Sequence, residues 1–160
     1  MKIIKDHYDY IICGGGASGL ILASRLCNDN YFINKSVLLI EKELKNTNDR
    51  TWCFWEEGKG EYDDIVSHSW QNAKFKAKNF KLNFSFNPFT YKMIKSKNFY
   101  SFIRKKLKPH AQLDQVQEKI IKINTKLNQV VTDKNIYKAN KIFSSIYSSK
   151  ILQSQTKFPV

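Results

Sequence analysis

The apolar positions near the N-terminus come in short runs that are separated by glycine or polar residues. Residues 8–13 (Y-D-Y-I-I-C) are a run of the kind that forms a buried strand. Glycines at 14–16 interrupt it, and residues 17–27 then carry an apolar stripe with helical spacing. Residues 36–40 (S-V-L-L-I) predict a second buried strand, which ends at Glu41. Strand, turn, helix and strand in this order predict a βαβ unit and therefore a parallel sheet.

The middle of the chain has a period of two instead. Phe75 and Ala77 alternate with lysines, the parity changes after Asn79, and the alternation then resumes from Phe80 to Phe86. This pattern predicts strand structure with a bulge or tight turn at the change of parity. Residues 96–107 predict an amphipathic helix.

The remaining pattern predicts a return to the parallel sheet. Residues 112–116 fit a third parallel strand. The strands predicted after it cover residues 119–124, 129–132, 136–137 and 142–147, of which the first three form a β-meander with polar turns.

The glycine turn has the spacing of a dinucleotide-binding fingerprint, Gly14-x-Gly16-x-x-Gly19. The first glycine permits the tight turn, the second lets the backbone approach a pyrophosphate, and the third lets helix and strand pack closely. The helix N-terminus then offers free N–H groups to the phosphates. The residues expected to line the cofactor here are Gly14, Gly15, Gly16, Ala17 and Gly19. A purely structural glycine turn is the alternative.

Glu41 lies 22 residues beyond Gly19, at the tip of the second predicted strand. A carboxylate there can accept hydrogen bonds from both ribose hydroxyls, which favours NAD or FAD over a cofactor with a 2′-phosphate. Because a long insertion and a meander follow, rather than further βαβ units, the arrangement is the FAD type of this fold.

Composition and charge limit the partners, the compartment and the metal sites that the chain can have. The 160 residues are 42% apolar and carry a net charge of +13, and no Asp or Glu occurs from Ile65 to Leu113. This basic span is either a solvated face or a surface for an anionic partner. The chain has no nucleic-acid motif, so we expect no nucleic-acid partner. Three cysteines without CxxC spacing predict a reducing cytoplasm and no metal site.

Residues 48–58 (N-D-R-T-W-C-F-W-E-E-G) combine aromatic and charged side chains just beyond the second predicted strand. Ligands bind at that edge of an α/β sheet. Arg50 is a candidate for the cofactor pyrophosphate, and Glu56 is a speculative candidate for the catalytic acid. Trp52, Phe54 and Trp55 are candidates for the wall of a substrate pocket, with core packing as the alternative.

The stretch D-R-T-W-C-F-W-E, together with Y-D-Y-I-I-C-G-G-G-A-S-G-L, resembles the flavin-dependent lycopene β-cyclases of bacterial carotenoid synthesis. Residues 88–94 (P-F-T-Y-K-M-I) are also similar to that family, and residues 139–145 (A-N-K-I-F-S-S) more weakly so. The resemblance extends over nearly all of the chain, and the tryptophan motif is its specific part.

The resemblance implies a function. It implies bound FAD in reduced form, NAD(P)H as the source of electrons, and no net redox change. It implies that lycopene or a related carotenoid is protonated at an end group, closes a β-ionone ring and loses a proton. Because lycopene lies in the bilayer, we expect a cytoplasmic bacterial protein that docks peripherally on an anionic membrane surface. The alternatives are another FAD-dependent oxidoreductase, such as a monooxygenase or a geranylgeranyl-reductase relative, and a non-catalytic remnant.

The predicted fold class is α/β: a Rossmann-like βαβ unit for FAD or NAD(P), a β-meander, and the start of an antiparallel substrate-domain sheet. The expected divisions are 1–56 for the βαβ unit and active-site loop, 57–95 for the first part of the substrate sheet, 96–147 for the return to the dinucleotide domain, and 148–160 for a truncated continuation. Because cyclases of this type are longer, we expect an N-terminal fragment that is inactive alone.

Overall fold

The computed structural model describes residues 4–146. It divides into two compact units. The first comprises the residues up to Leu44 together with those from Leu107 onward, and the second is Lys45–Lys106. The predicted continuation at 148–160 lies outside the described residues.

The first unit contains a six-stranded sheet and a helix. Its strands are β1 (His7–Cys13), β2 (Val37–Glu41), β8 (Leu113–Gln117), β9 (Ile120–Asn124), β10 (Gln129–Thr132) and β11 (Ile136–Ser144), in the order β8-β2-β1-β11-β10-β9. Strands β8, β2, β1 and β11 are parallel, whereas β11, β10 and β9 form the antiparallel meander. Helix α1 (Ala17–Asn28) joins β1 to β2. The predicted α/β fold with a parallel βαβ unit and a meander is confirmed.

The core of this unit is built by the apolar runs that predicted it. Ile11 and Cys13 of β1 pack with Leu38 and Ile40 of β2, and all four are fully buried. Consecutive residues of β1 and β2 are buried, so both faces of these strands are covered, which explains why their sequences are continuously apolar rather than alternating.

One strand differs from the prediction. The sequence suggests two short strands, at 136–137 and 142–147, but β11 is a single strand from Ile136 to Ser144. Its polar middle stays extended because it pairs with β1 on one side, while its first part pairs with β10 on the other. Tyr137 and Ala139 point into the core, and the polar residues between and after them are exposed.

The second unit contains antiparallel strands and helix α2 (Ser96–Leu107), whose last residue belongs to the first unit. A three-stranded sheet has the order β3-β7-β4, and a separate hairpin is formed by β5 and β6. The strands are β3 (Thr51–Glu57), β4 (Val66–Trp70), β5 (Asn72–Ala77), β6 (Phe80–Ser85) and β7 (Phe89–Lys95). The turn between β5 and β6 falls at residues 78–79, where the sequence changes parity.

Candidate functional site

The glycine turn begins where β1 ends. The Gly14 N–H donates a hydrogen bond to the Ile40 carbonyl at 2.9 Å, which ties the turn to β2. Gly14 has a φ of +105°, a conformation that L side chains rarely adopt, and an added Cβ would lie 2.5 Å from Ser145 Oγ. The first position of the fingerprint therefore requires glycine for both conformation and space.

Glu41 lies against the second glycine of the turn. The Gly15 N–H donates to Glu41 Oε2 at 2.7 Å. A Cβ at Gly15 would lie 2.9 Å from Glu41 Cβ. The turn and the acidic residue, predicted from positions 26 residues apart, are thus in direct contact.

Gly16 and Gly19 have opposite surroundings. An added Cβ at Gly16 would meet no atom within 4 Å, whereas one at Gly19 would fall on the Gly14 carbonyl oxygen. Gly16 is the N-cap of α1, and its carbonyl accepts a hydrogen bond from the Leu20 N–H at 3.0 Å. The close approach of helix to strand depends on Gly19, and the open space lies at Gly16.

This arrangement suits a phosphate group. The first N–H groups of an α-helix have no intrahelical acceptors, and the helix dipole adds positive potential there. Gly16 has no side chain to cap these groups or to fill the space beside them, and Ala17 begins the helix. Glu41 stands next to the turn, where it can accept hydrogen bonds from a ribose. The residues present therefore fit a dinucleotide.

The tryptophan motif forms β3, and strand alternation divides its aromatic rings between two faces. The Trp52 ring lies 5.2 Å from that of Phe99 and 5.9 Å from that of Tyr100, both on α2. The Phe54 ring lies 6.3 Å from that of Tyr62 on the same face. Trp52 and Phe54 are therefore packed within the second unit.

Trp55 points to the opposite face of β3. Its ring lies 4.6 Å from that of Tyr91 and 4.6 Å from that of Phe86, and 54% of its surface is exposed. The structure thus does not bring Trp52, Phe54 and Trp55 to one wall. Their assignment to a substrate pocket stays a prediction.

The Glu56 side chain lies on the same face of β3 as Trp52 and Phe54, and it forms an ion pair with Lys92. Lys92 Nζ lies 2.8 Å from Glu56 Oε2, 2.6 Å from Asp63 Oδ1 and 2.8 Å from the Gly58 carbonyl oxygen. The hydrogen bonds to Asp63 and Glu56 raise the pKa of Lys92 above its ordinary value, and the bond from Lys92 lowers the pKa of Asp63. The role of Glu56 as an acid stays a prediction.

Lys92 corrects the interpretation of the basic span. The sequence groups it with lysines of a solvated or docking face, but only 6% of its surface is exposed. The alternation of side chains along β7 could have predicted this burial from the sequence. Lys92 lies between Tyr91 and Met93 and therefore points to the opposite face of the sheet.

Arg50 belongs to the second unit, whereas the glycine turn belongs to the first. Its backbone is fixed by Ser96, whose Oγ accepts from the Arg50 N–H at 3.0 Å and whose N–H donates to the Arg50 carbonyl at 2.9 Å. The guanidinium is exposed and donates to the Asp49 carbonyl at 3.2 Å. Its assignment to the cofactor pyrophosphate stays a prediction.

Sequence comparison decides the family. The pattern that defines lycopene cyclase proteins matches residues 9–149. The chain belongs to the lycopene cyclase protein family. The predicted resemblance is thereby confirmed, and the match includes the glycine turn, Glu41 and the tryptophan motif. A shorter similarity connects this lycopene cyclase family member to an alcohol oxidase of Candida boidinii, with 41% identity over 51 residues, which are 32% of the chain and 7% of the oxidase.

Solved structures share the fold of this family member. PqsL of Pseudomonas aeruginosa, described as a probable FAD-dependent monooxygenase, superposes with a TM-score of 0.63 at 12% identity, covering 85% of the chain and 41% of PqsL. The oxygenase MHPCO (Y270F mutant) gives 0.65 at 16% identity, with 85% and 38% covered. The flavin-dependent brominase Bmp2 gives 0.60 at 14% identity, with 93% and 40% covered. The chain thus spans about two fifths of the length of these structures.

Two of the three cysteines, Cys13 and Cys27, are buried. Burial raises the pKa of the Cys13 thiol to about 12 and that of Cys27 to about 11, so neither is a nucleophile at neutral pH. Of the helices within residues 4–146, none has the length and apolar content to cross a membrane.

Proposed function

We propose that this chain is the FAD-binding part of a lycopene β-cyclase. The observation that carries the proposal is the glycine turn in contact with Glu41, in a member of the lycopene cyclase family. FAD is proposed because the turn fits a dinucleotide and because the structures that share the fold are described as FAD-dependent or flavin-dependent enzymes.

The proposed reaction is an isomerisation. A proton adds to an end-group double bond of lycopene, the resulting carbocation closes a β-ionone ring, and loss of a proton restores neutrality, so substrate and product have the same mass. Reduced FAD, with NAD(P)H as the source of electrons, would support this reaction without net transfer of electrons. The N–H groups at the start of α1 would hold the pyrophosphate, and Glu41 would hold the ribose.

A second candidate is an FAD-dependent oxidoreductase. The observation that favours it is the fold shared with PqsL and MHPCO, one described as a probable monooxygenase and the other as an oxygenase. The two candidates differ in electron balance, because an oxidoreductase consumes reductant in proportion to product and a cyclase does not.

Electron balance therefore tests the proposed function. The enzyme that contains this chain is given FAD, NADPH and lycopene in liposomes, and the products and the remaining NADPH are quantified. We expect a cyclised product with the mass of lycopene and far less than one NADPH consumed per ring. One NADPH per oxygenated or reduced product would instead establish the oxidoreductase, and failure of the chain to retain FAD on gel filtration would favour a non-catalytic remnant.

Docking on an anionic membrane is proposed from the β5–β6 hairpin. Strand pairing places Phe75 opposite Leu82 and Ala77 opposite Phe80, which makes one apolar face. Phe75, Phe80 and Leu82 are 55%, 55% and 45% exposed. The other face pairs Lys76 with Lys81, and the basic span around them contains no acidic residue. An element with an apolar face and lysines suits the boundary between headgroups and acyl chains.

Vesicle binding tests this role of the hairpin. We expect the chain to cosediment with phosphatidylcholine vesicles more strongly when phosphatidylglycerol is added, and less strongly as salt rises. Each of Lys76→Gln and Lys81→Gln should weaken binding about fivefold, since a lysine at an anionic surface contributes about 1 kcal/mol. Lys122→Gln and Lys138→Gln, at exposed positions of the first unit, are the matched controls. Vesicle binding that changes with neither the salt concentration nor the phosphatidylglycerol content would refute the docking role.

A further inference from the structure

Six aromatic side chains of the second unit follow one another in ring contact. Ring centroids are separated by 5.6 Å for Phe84–Phe86, 4.6 Å for Phe86–Trp55, 4.6 Å for Trp55–Tyr91, 5.8 Å for Tyr91–Trp70 and 5.6 Å for Trp70–His68. We call this series the aromatic track.

Strand pairing explains why the track is continuous. Tyr91 on the central strand β7 pairs with Trp55 of β3 on one side and with Trp70 of β4 on the other. The track therefore crosses all three strands, and it continues through Phe86 to Phe84 on the apolar face of the hairpin. It lies on the face of the sheet opposite to the Glu56–Lys92 ion pair.

The track is open rather than packed as a core. Trp55, Trp70 and Phe84 are 54%, 38% and 44% exposed. Contiguous exposed aromatic surface of this kind marks a binding site more often than isolated exposed rings do. Trp52, by contrast, is packed against α2, so only two of the three tryptophans of the chain are available to a ligand on the track.

The chemistry of the track fits a neutral, extended and conjugated hydrocarbon. Alternation adds Cys53 and Met93 to this face, and Glu57 shares it at the hairpin end. A hydrogen bond with Cys53 raises the pKa of Tyr91 above its ordinary value. Aromatic faces stack on a planar polyene and also attract a cation through their quadrupoles.

We propose that the aromatic track binds the linear polyene substrate, with Trp55, Tyr91 and Trp70 as its central contacts. The inference rests on the proposed function and adds Phe84, Phe86, Tyr91, Trp70 and His68 to the site. Because the track starts on the hairpin face that is proposed to lie at the membrane, a polyene passes from bilayer to sheet along aromatic surface instead of through water. The same ring faces stabilise the carbocation that forms during cyclisation.

Visible circular dichroism of bound lycopene tests the proposal. Lycopene is achiral, so it shows a visible circular dichroism band only when an asymmetric site binds it. Titration of the FAD-loaded chain with lycopene in detergent micelles therefore gives an affinity. We expect Trp55→Ala and Trp70→Ala each to weaken binding about tenfold. Tyr31→Ala, at an aromatic residue that is 79% exposed in the first unit, is the matched control and should have no effect.

The outcomes separate the track from the proposed function. All variants should retain FAD and melt at the temperature of the wild-type chain, because both replaced tryptophans are substantially exposed. If Trp55→Ala with Trp70→Ala binds lycopene as tightly as the wild-type chain, the track is refuted and the cyclase proposal stands. If the wild-type chain retains FAD but produces no visible circular dichroism band with lycopene, the track does not bind a polyene and this proposal fails, whereas the electron balance of the enzyme that contains the chain decides the cyclase proposal separately.

Discussion

The Gly16→Val substitution is expected to weaken FAD binding at least about 100-fold, because losing two charge-assisted hydrogen bonds to phosphate costs about 3 kcal/mol or more. The Cβ of residue 16 points into space that contains no protein atom within 4 Å. A valine side chain would fill that space and keep the pyrophosphate away from the N–H groups at the start of α1.

The same geometry predicts that the protein stays folded. Gly16 has a φ of −74°, which valine adopts without strain, and no neighbouring atom has to move. At an N-cap, valine is less favourable than glycine by about 1 kcal/mol or less, so only a small fall in melting temperature is expected.

Flavin absorbance after gel filtration measures the bound FAD, and calorimetry of the same samples without FAD measures stability. Gly16→Ala is the graded control, since a methyl group obstructs less of the space than the valine side chain. Full flavin content in Gly16→Val would show that the turn is structural and binds no dinucleotide.

The Gly19→Ala substitution is expected to destabilise the first unit by about 3 kcal/mol, at the upper end of the usual cost of overpacking. An added Cβ would overlap the Gly14 carbonyl oxygen and lie 3.2 Å from Ile12 Cγ2. The obstructing group is backbone, so α1 has to move away from β1, and the close packing of helix and strand is lost.

This destabilisation corresponds to a fall in melting temperature of roughly 10 °C for a chain of this size. Differential scanning calorimetry without FAD measures it directly, with Gly16→Ala as the matched glycine-to-alanine control, because its Cβ meets no atom within 4 Å. An unchanged melting temperature in Gly19→Ala would mean that α1 and the turn do not pack as closely as the structure shows.

Local sequence patterns were sufficient for most elements of the fold. Three patterns predicted their elements: the apolar runs of β1 and β2, the amphipathic pattern of α2, and the parity change between β5 and β6. Each pattern reflects the environment of the side chains within a short segment. The glycine turn was equally informative, because the positive φ of Gly14 and the lack of space at Gly14, Gly15 and Gly19 exclude side chains. The φ of Gly14 and the contact of Gly19 with the Gly14 carbonyl arise within one short segment, so these two constraints can be deduced from spacing alone.

Long-range pairing explains the interpretations that changed. The polar middle of β11 looked like a break, but its neighbours hold it extended. Lys92 looked solvated, but Glu56 and Asp63, distant in sequence, enclose it. The tryptophan motif was interpreted as one aromatic wall of a pocket, but it is a strand whose side chains alternate between two faces. The charged residues beside its aromatic residues made a strand difficult to predict.

The sequence by itself determined the family, the βαβ unit with its meander, and the positions of a glycine turn after the first strand and an acidic residue at the end of the second, because these depend on conformations and spacings within short segments. The tertiary structure alone decided that Trp55 lies apart from Trp52 and Phe54, that Lys92 is buried between two carboxylates, and that Trp55, Tyr91 and Trp70 form one surface. These facts depend on the register among β3, β7 and β4, which is set by side chains that meet only after the chain has folded.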